Sequence, residues 1–106
     1  MLPGRYVFLF MATLWVVNSV PAHAETIKIT IEKLVFSPAE IKAKVGDTVE
    51  WINKDIVAHT ATVRGEWDVM IPANKSASLV LKNTGDFQYY CRFHPNMKGR
   101  ITVTAE

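Results

Sequence analysis

The run Glu40-Ile-Lys-Ala-Lys-Val45, Gly46-Asp47, Thr48-Val-Glu-Trp-Ile-Asn53 places two short segments of alternating apolar and polar residues on either side of a Gly-Asp pair. Alternation with period two puts every second side chain on the same face, the mark of a half-buried strand. Gly46 suits the positive φ that a tight turn needs, so a β-hairpin is expected over residues 40–53. The same pattern extends outward in both directions. Upstream, Ile27, Ile29 and Ile31 share a face opposite Lys28, Thr30 and Glu32. Downstream, Ser76 to Leu81 alternates, Asn83-Thr84-Gly85-Asp86 marks a turn, and Phe87, Tyr89 and Cys91 stand in phase and should point inward. The chain closes on Gly99 to Thr104, where Ile101 and Val103 share a face. Trp51, Phe87 and Tyr89 are expected in the core. Residues from Lys54 to Lys75, with Gly65 and Pro72, are the least regular and read as loops. No segment has the 3.6-residue periodicity of an amphipathic helix, and there are no repeats or low-complexity tracts. Many short strands with turn signals predict an all-β sandwich or barrel.

The first 24 residues do not fit this pattern. Arg5 precedes an apolar run from Tyr6 to Val17 and a polar stretch ending Pro21-Ala22-His23-Ala24. That run is short of the roughly 20 residues a spanning helix needs. With small residues at Ala22 and Ala24 it reads as a secretory signal peptide cleaved after Ala24. The expected organisation is a signal peptide over 1–24 and a single domain over 25–106, with no stable membrane insertion once the leader is gone. No cysteine follows the cleavage point, so a lipid anchor there is not expected. Of the 12 Lys and Arg, loss of Arg5 leaves 11 against 10 acids, and the formal charge drops from +2 to +1. Such a balance carries no nucleic-acid footprint. A domain this small buries only about 60–65% of its unfolded surface and would gain stability from a bound metal.

Cys91 is the chain's one cysteine, in a protein expected to be exported to an oxidising compartment. It has no partner within the chain, so it is buried, reactive, bonded to another chain or bound to metal. Its neighbours favour metal. Cys91-Arg-Phe-His94-Pro-Asn-Met97 gathers a thiol, an imidazole and a thioether within seven residues. In extended chain, positions three apart would be about 10 Å from each other, too far for one ion. The loop must therefore curl, and a helical-type turn held by Pro95 is expected. A further ligand must come from elsewhere, and His59 is the only other histidine beyond the expected cleavage point. A short loop after Asn53 would deliver it. Two histidines, a cysteine and a distant methionine form the type 1 copper set. Met97 is the expected axial donor, while Met70, outside the loop, is expected to fill a gap in the core.

With these residues in place the chain resembles the cupredoxins, the small blue copper proteins, and is most similar to their amicyanin and plastocyanin-like members. Val45-Gly46-Asp47-Thr48-Val49, Trp51-Ile52-Asn53, His59, Gly85 with Phe87, Tyr89 and Cys91, His94-Pro95 and Met97-Lys98-Gly99 carry the resemblance, which covers nearly all of residues 25–106. It implies a Greek-key β-sandwich, one copper ion cycling between its cuprous and cupric states, and a monomeric, periplasmic electron carrier. His59, Cys91, His94 and Met97 are the implied ligands, with the edge of His94 as the electron port. Redox proteins are the implied partners, with a donor such as an amine dehydrogenase and a cytochrome-type acceptor. One departure stands out: Thr60 replaces the asparagine that often follows the first histidine ligand. There the family links its two ligand loops and sets a backbone N–H near the sulfur. Threonine retains that N–H and a hydroxyl. The stretch from Glu66 to Ala73 is also shorter than in amicyanin.

Catalysis is not expected. A Cys-His nucleophile needs an oxyanion hole and an orienting partner, which nothing in the sequence marks, and four protein ligands would leave no open position for a substrate. A copper chaperone or storage protein is the alternative, though such proteins favour exchangeable clusters of methionine or cysteine. The third reading is a sandwich without metal.

Overall fold

A computed structural model describes residues 23–106, so the expected leader lies outside it but for its last two positions. Among the described residues, nine strands make up the architecture: β1 (Thr26–Glu32), β2 (Val35–Ser37), β3 (Glu40–Lys44), β4 (Thr48–Asn53), β5 (His59–Val63), β6 (Trp67–Ile71), β7 (Ser76–Val80), β8 (Gly85–Cys91) and β9 (His94–Thr104). They form a four-stranded sheet ordered β2-β1-β4-β7 and a five-stranded sheet ordered β3-β9-β8-β5-β6. The all-β sandwich expected from period-two patterning is therefore the fold. Ile29, Ile31, Val49 and Trp51 from one sheet meet Ala61, Ile71, Tyr89 and Ile101 from the other, all fully buried.

The hairpin expected over residues 40–53 does not form. β3 pairs in parallel with β9, from Glu40↔Arg100 to Lys44↔Thr104, whereas β4 pairs with β1 and β7 in the opposite sheet. The Gly-Asp pair is thus an arch that carries the chain from one sheet to the other. Gly46 takes φ +98°, as its place in a tight bend requires. Its N–H donates to Leu81 O at 2.8 Å, and Val45 N–H donates to Thr104 O at 2.9 Å, so each limb is sewn to a different sheet. The buried carboxylate of Asp47 accepts from Glu25 N at 2.9 Å and Lys44 N at 2.8 Å. Those two hydrogen bonds hold its carboxyl below the ordinary value.

Residues 54–75, expected as loops, contain the antiparallel pair β5 and β6, in register from His59↔Ile71 to Val63↔Trp67. β5 lies between β8 and β6, and His59, Thr60, Ala61 and Thr62 are all buried in succession. A strand covered on both faces shows no alternation, and three of its buried positions, His59, Thr60 and Thr62, are polar.

Phe87, Tyr89 and Cys91 point inward as expected, with Phe87 half-buried and the other two fully covered. Tyr89 is the aromatic centre. Its ring meets Phe36 edge-on with centroids 4.7 Å apart and Trp51 at 5.6 Å, and its hydroxyl accepts from Trp51 Nε1 at 3.3 Å. Burial pushes the phenol up to about 12, partly offset by the Trp51 hydrogen bond. Gly99 faces Tyr89 across the β8–β9 ladder, and a Cβ there would overlap the Tyr89 ring.

Candidate metal centre

His59 opens β5, and its imidazole is completely buried. The short loop before it is held by Asn53, whose Nδ2 reaches the carbonyls of Val57, Ile71 and Pro72 at 2.9, 3.2 and 3.1 Å. Asn53 Oδ1 in turn accepts from Asp55 N at 2.9 Å. So fixed, Asp55 receives Lys33 N at 2.7 Å and Leu34 N at 3.0 Å from the β1–β2 turn. Its Oδ2 also lies 2.8 Å from His59 Nε2. Burial works against charge on Asp55, yet the hydrogen bonds from Leu34, His59 and Lys33 outweigh it and keep the carboxyl below its ordinary value. A carboxylate at Nε2 accepts a hydrogen bond from that nitrogen, which keeps the ring proton there and leaves Nδ1 with a free lone pair.

Nδ1 faces Cys91 Sγ at 3.7 Å, and His94 Nδ1 lies at the same 3.7 Å from the sulfur. The Cys91–His94 loop curls, but not as a helical turn. Arg92-Phe93 forms a two-residue turn between β8 and β9, so Cys91 and His94 are cross-strand partners. Pro95 lies beyond that turn, in the irregular start of β9. Facing each other across a ladder brings the two donors together more closely than their spacing along an extended chain allows.

Thr60 joins the two ligand-bearing segments. Its backbone N–H points at Cys91 Sγ, 3.4 Å away, and its hydroxyl accepts from Arg92 N at 2.8 Å. The roles ascribed to asparagine at this position are thus filled by a threonine amide and hydroxyl. The Thr60 amide thus presents a donor to the sulfur, whose thiolate is the form that binds metal.

The donor atoms of His59, Cys91 and His94 all lie within 4.8 Å of one another, with the first two residues buried and His94 half-buried. Two imidazole lone pairs and a buried sulfur suit copper in both oxidation states, so the residues fit a type 1 site. Met97 lies on β9, three residues beyond His94, and is 5% exposed. Together with Leu34, Phe93, His94, Pro95 and Asn96 it lines a shallow recess. Phe93 is 47% exposed and Leu34 45%, which gives the half-covered His94 an apolar surround. Met70 does not fill the core as expected: it lies on β6 opposite Thr60 and is 47% exposed. Trp67, expected in a loop, is on β6 and stacks at a tilt on Phe87, with centroids 5.0 Å apart. Asp55 was not among the sequence candidates. It carries no motif of its own, and only its place four residues before a histidine could have marked it.

A family model, the cupredoxin-like domain, matches residues 5–103. Amicyanin of Paracoccus denitrificans is 34% identical over 84 residues, which cover 73% of this chain and 64% of that protein. Amicyanin-alpha of Methylorubrum extorquens is 31% identical, covering 82% of this chain and 77% of that protein. The chain thus spans just under two thirds of the first of these relatives. Among solved structures, amicyanin from Paracoccus versutus superposes with a TM-score of 0.65 at 29% identity, covering 80% of this chain and 85% of that one. A reduced Cu(I) form of an amicyanin mutant gives 0.64 at 33%, covering 80% and 86%.

Proposed function

Because this chain belongs to the cupredoxin-like family, we propose that it is a type 1 blue copper protein that carries single electrons between redox proteins in the periplasm. The observation that carries this reading is the convergence of His59 Nδ1, Cys91 Sγ and His94 Nδ1. Met97 is proposed as the fourth, axial donor, and residues 1–24 as the leader that directs export. Copper, when bound, supplies the one-electron couple.

The protein's part is to hold its donors still. A carrier works best when gaining or losing an electron moves few atoms. His59 is fixed through Asp55 to the β1–β2 turn, and Cys91 is fixed through Thr60 to β5. Thr60 sits on β5, and Asp55, in the short loop before it, is tied by its hydrogen bonds to the β1–β2 turn. A buried sulfur under a peptide N–H keeps water and oxidants from the thiolate. His94 alone of the three converging donors reaches the surface, ringed by Phe93, Pro95 and Leu34, so it is the proposed electron port. The amicyanin relatives support a redox-protein partner, with an amine dehydrogenase as donor and a cytochrome-type acceptor as the specific proposal.

Adding cupric ion to protein comprising residues 25–106 and recording its visible and paramagnetic resonance spectra tests the reading. An intense blue band with narrow copper hyperfine splitting is expected, and Cys91→Ser should abolish both. Tight but colourless binding would point to a chaperone instead, and no binding to a metal-free sandwich.

A further inference from the structure

Arg92, the residue after the candidate thiolate ligand, is gripped at two points, and both grips lead to the same carboxylate oxygen. Its backbone N–H donates to Thr60 Oγ1 at 2.8 Å, and its side-chain Nε donates to Asp68 Oδ1 at 3.0 Å. Between those ends, the Thr60 and Thr62 hydroxyl oxygens lie 2.9 Å apart, and Thr62 Oγ1 lies 2.7 Å from Asp68 Oδ1. The result is a closed ring: Arg92 amide, Thr60, Thr62, Asp68 and the Arg92 guanidinium. Thr60 is fully buried and Thr62 is 5% exposed, while Asp68 opens to solvent on β6.

Proton counting fixes the direction of this chain. A hydroxyl has one proton to give and two lone pairs to offer, whereas a carboxylate only accepts. The hydrogen bonds from Thr62 and then Arg92 hold the Asp68 carboxyl below its ordinary value, which keeps it an acceptor at neutral pH. Thr62 therefore gives its proton to Asp68 and shows Thr60 a lone pair. Thr60 gives its proton to Thr62 and shows Arg92 a lone pair. Without that order the Thr60 hydroxyl is free to rotate its proton toward the Arg92 N–H and lose the contact. Hydrogen bonds linked head to tail also polarise one another.

Building on the copper-carrier reading, we infer that Thr62 and Asp68 are positioning residues for the metal centre, acting through Thr60 to fix the Cys91–His94 turn. Neither touches a donor atom. A strand with no ligand of its own, β6, thereby takes part in setting the geometry around the sulfur.

Thr62→Val removes the hydroxyl at constant charge and nearly constant volume, and Thr62→Ser retains it. Amide hydrogen exchange on the metal-free protein reads the clamp directly. In Thr62→Val the Arg92 N–H should exchange roughly fivefold faster, the equivalent of one neutral hydrogen bond, while Thr62→Ser matches the unsubstituted chain. In the copper-loaded proteins, Thr62→Val should shift the reduction potential and the hyperfine splitting, and Thr62→Ser should restore both. Asp68→Ala, at an exposed position, is expected to speed Arg92 exchange in the same way and supplies the test if Thr62→Val does not fold. Equal Arg92 exchange in all four proteins overturns the clamp. Faster exchange with an unaltered potential and hyperfine splitting overturns its positioning role. Failure of the unsubstituted chain to form a blue site overturns the carrier reading, and with it this role, whatever the exchange rates show.

Discussion

Nε2 of His59 and Oδ2 of Asp55 are 2.8 Å apart, on a buried ring whose other nitrogen faces the Cys91 sulfur at 3.7 Å. A single carboxylate, itself held by the Lys33 and Leu34 amides, decides which imidazole nitrogen is free and where it points. Carboxylate partners of metal-bound histidines commonly contribute 10- to 100-fold in affinity. Asp55→Ala should therefore weaken copper binding by roughly that factor, read by competition with a chelator. An unchanged affinity would mean that packing alone orients the ring.

Met97 and Met70 separate on burial, at 5% and 47% exposed. Exchange for leucine conserves volume and costs less than about 1.5 kcal/mol in a core. Met97→Leu should leave a folded protein with an altered potential and spectrum, since the axial donor tunes the site. Met70→Leu should alter neither. The reverse result would assign the axial position to Met70.

Gly99 has no room for a side chain because Tyr89 fills the space opposite it. Gly99→Ala should destabilise the fold by about 1–3 kcal/mol, the range for overpacking. Chemical denaturation measures it, and a neutral result would show that the Tyr89 ring can move aside.

Tyr89 makes stability sensitive to alkali. Its phenol is pushed up to about 12 in the fold, against about 10 in the unfolded chain. A raised value means the fold holds the proton more tightly, so this contribution is full below pH ~10 and is lost as the pH climbs toward ~12. Two units correspond to something on the order of 2–3 kcal/mol. Tyr89→Phe, which gives up the Trp51 hydrogen bond, should show a flatter stability profile across that window. Parallel profiles would place the sensitivity elsewhere.

The strands with one solvated face were legible from alternation alone: Ile29 and Ile31, or Ile101 and Val103, announce their face every second residue. Partner choice was not. Nothing in Glu40 to Asn53 distinguishes a hairpin from an arch, because pairing with β9 depends on residues some 60 positions away. β5 was hidden for a different reason: Thr60 and Thr62 are polar yet buried, satisfied by Arg92, Cys91 and Asp68 rather than by water. The converging donors His59, Cys91 and His94 could be named from the chain because sulfur and imidazole are scarce in it. Their supports, Asp55 and Asp68, could not, since aspartate is common and only the folded backbone brings these two to their partners.

The contact between Glu25 N and Asp47 Oδ1, 2.9 Å long, acquires a new character under the proposed processing. While the leader is attached, that nitrogen is a peptide amide. Once the bond after Ala24 is cut, it is an ammonium group clasped by a shielded carboxylate at the sheet-to-sheet arch. Charge-assisted bonds are roughly twice as strong as neutral ones, so a chain beginning at Glu25 should be more stable by about 1 kcal/mol than one retaining Ala24. Equal melting of the two would remove the effect. Cleavage at the proposed point would then act as a latch, with the sandwich closing more firmly after its address label had been discarded.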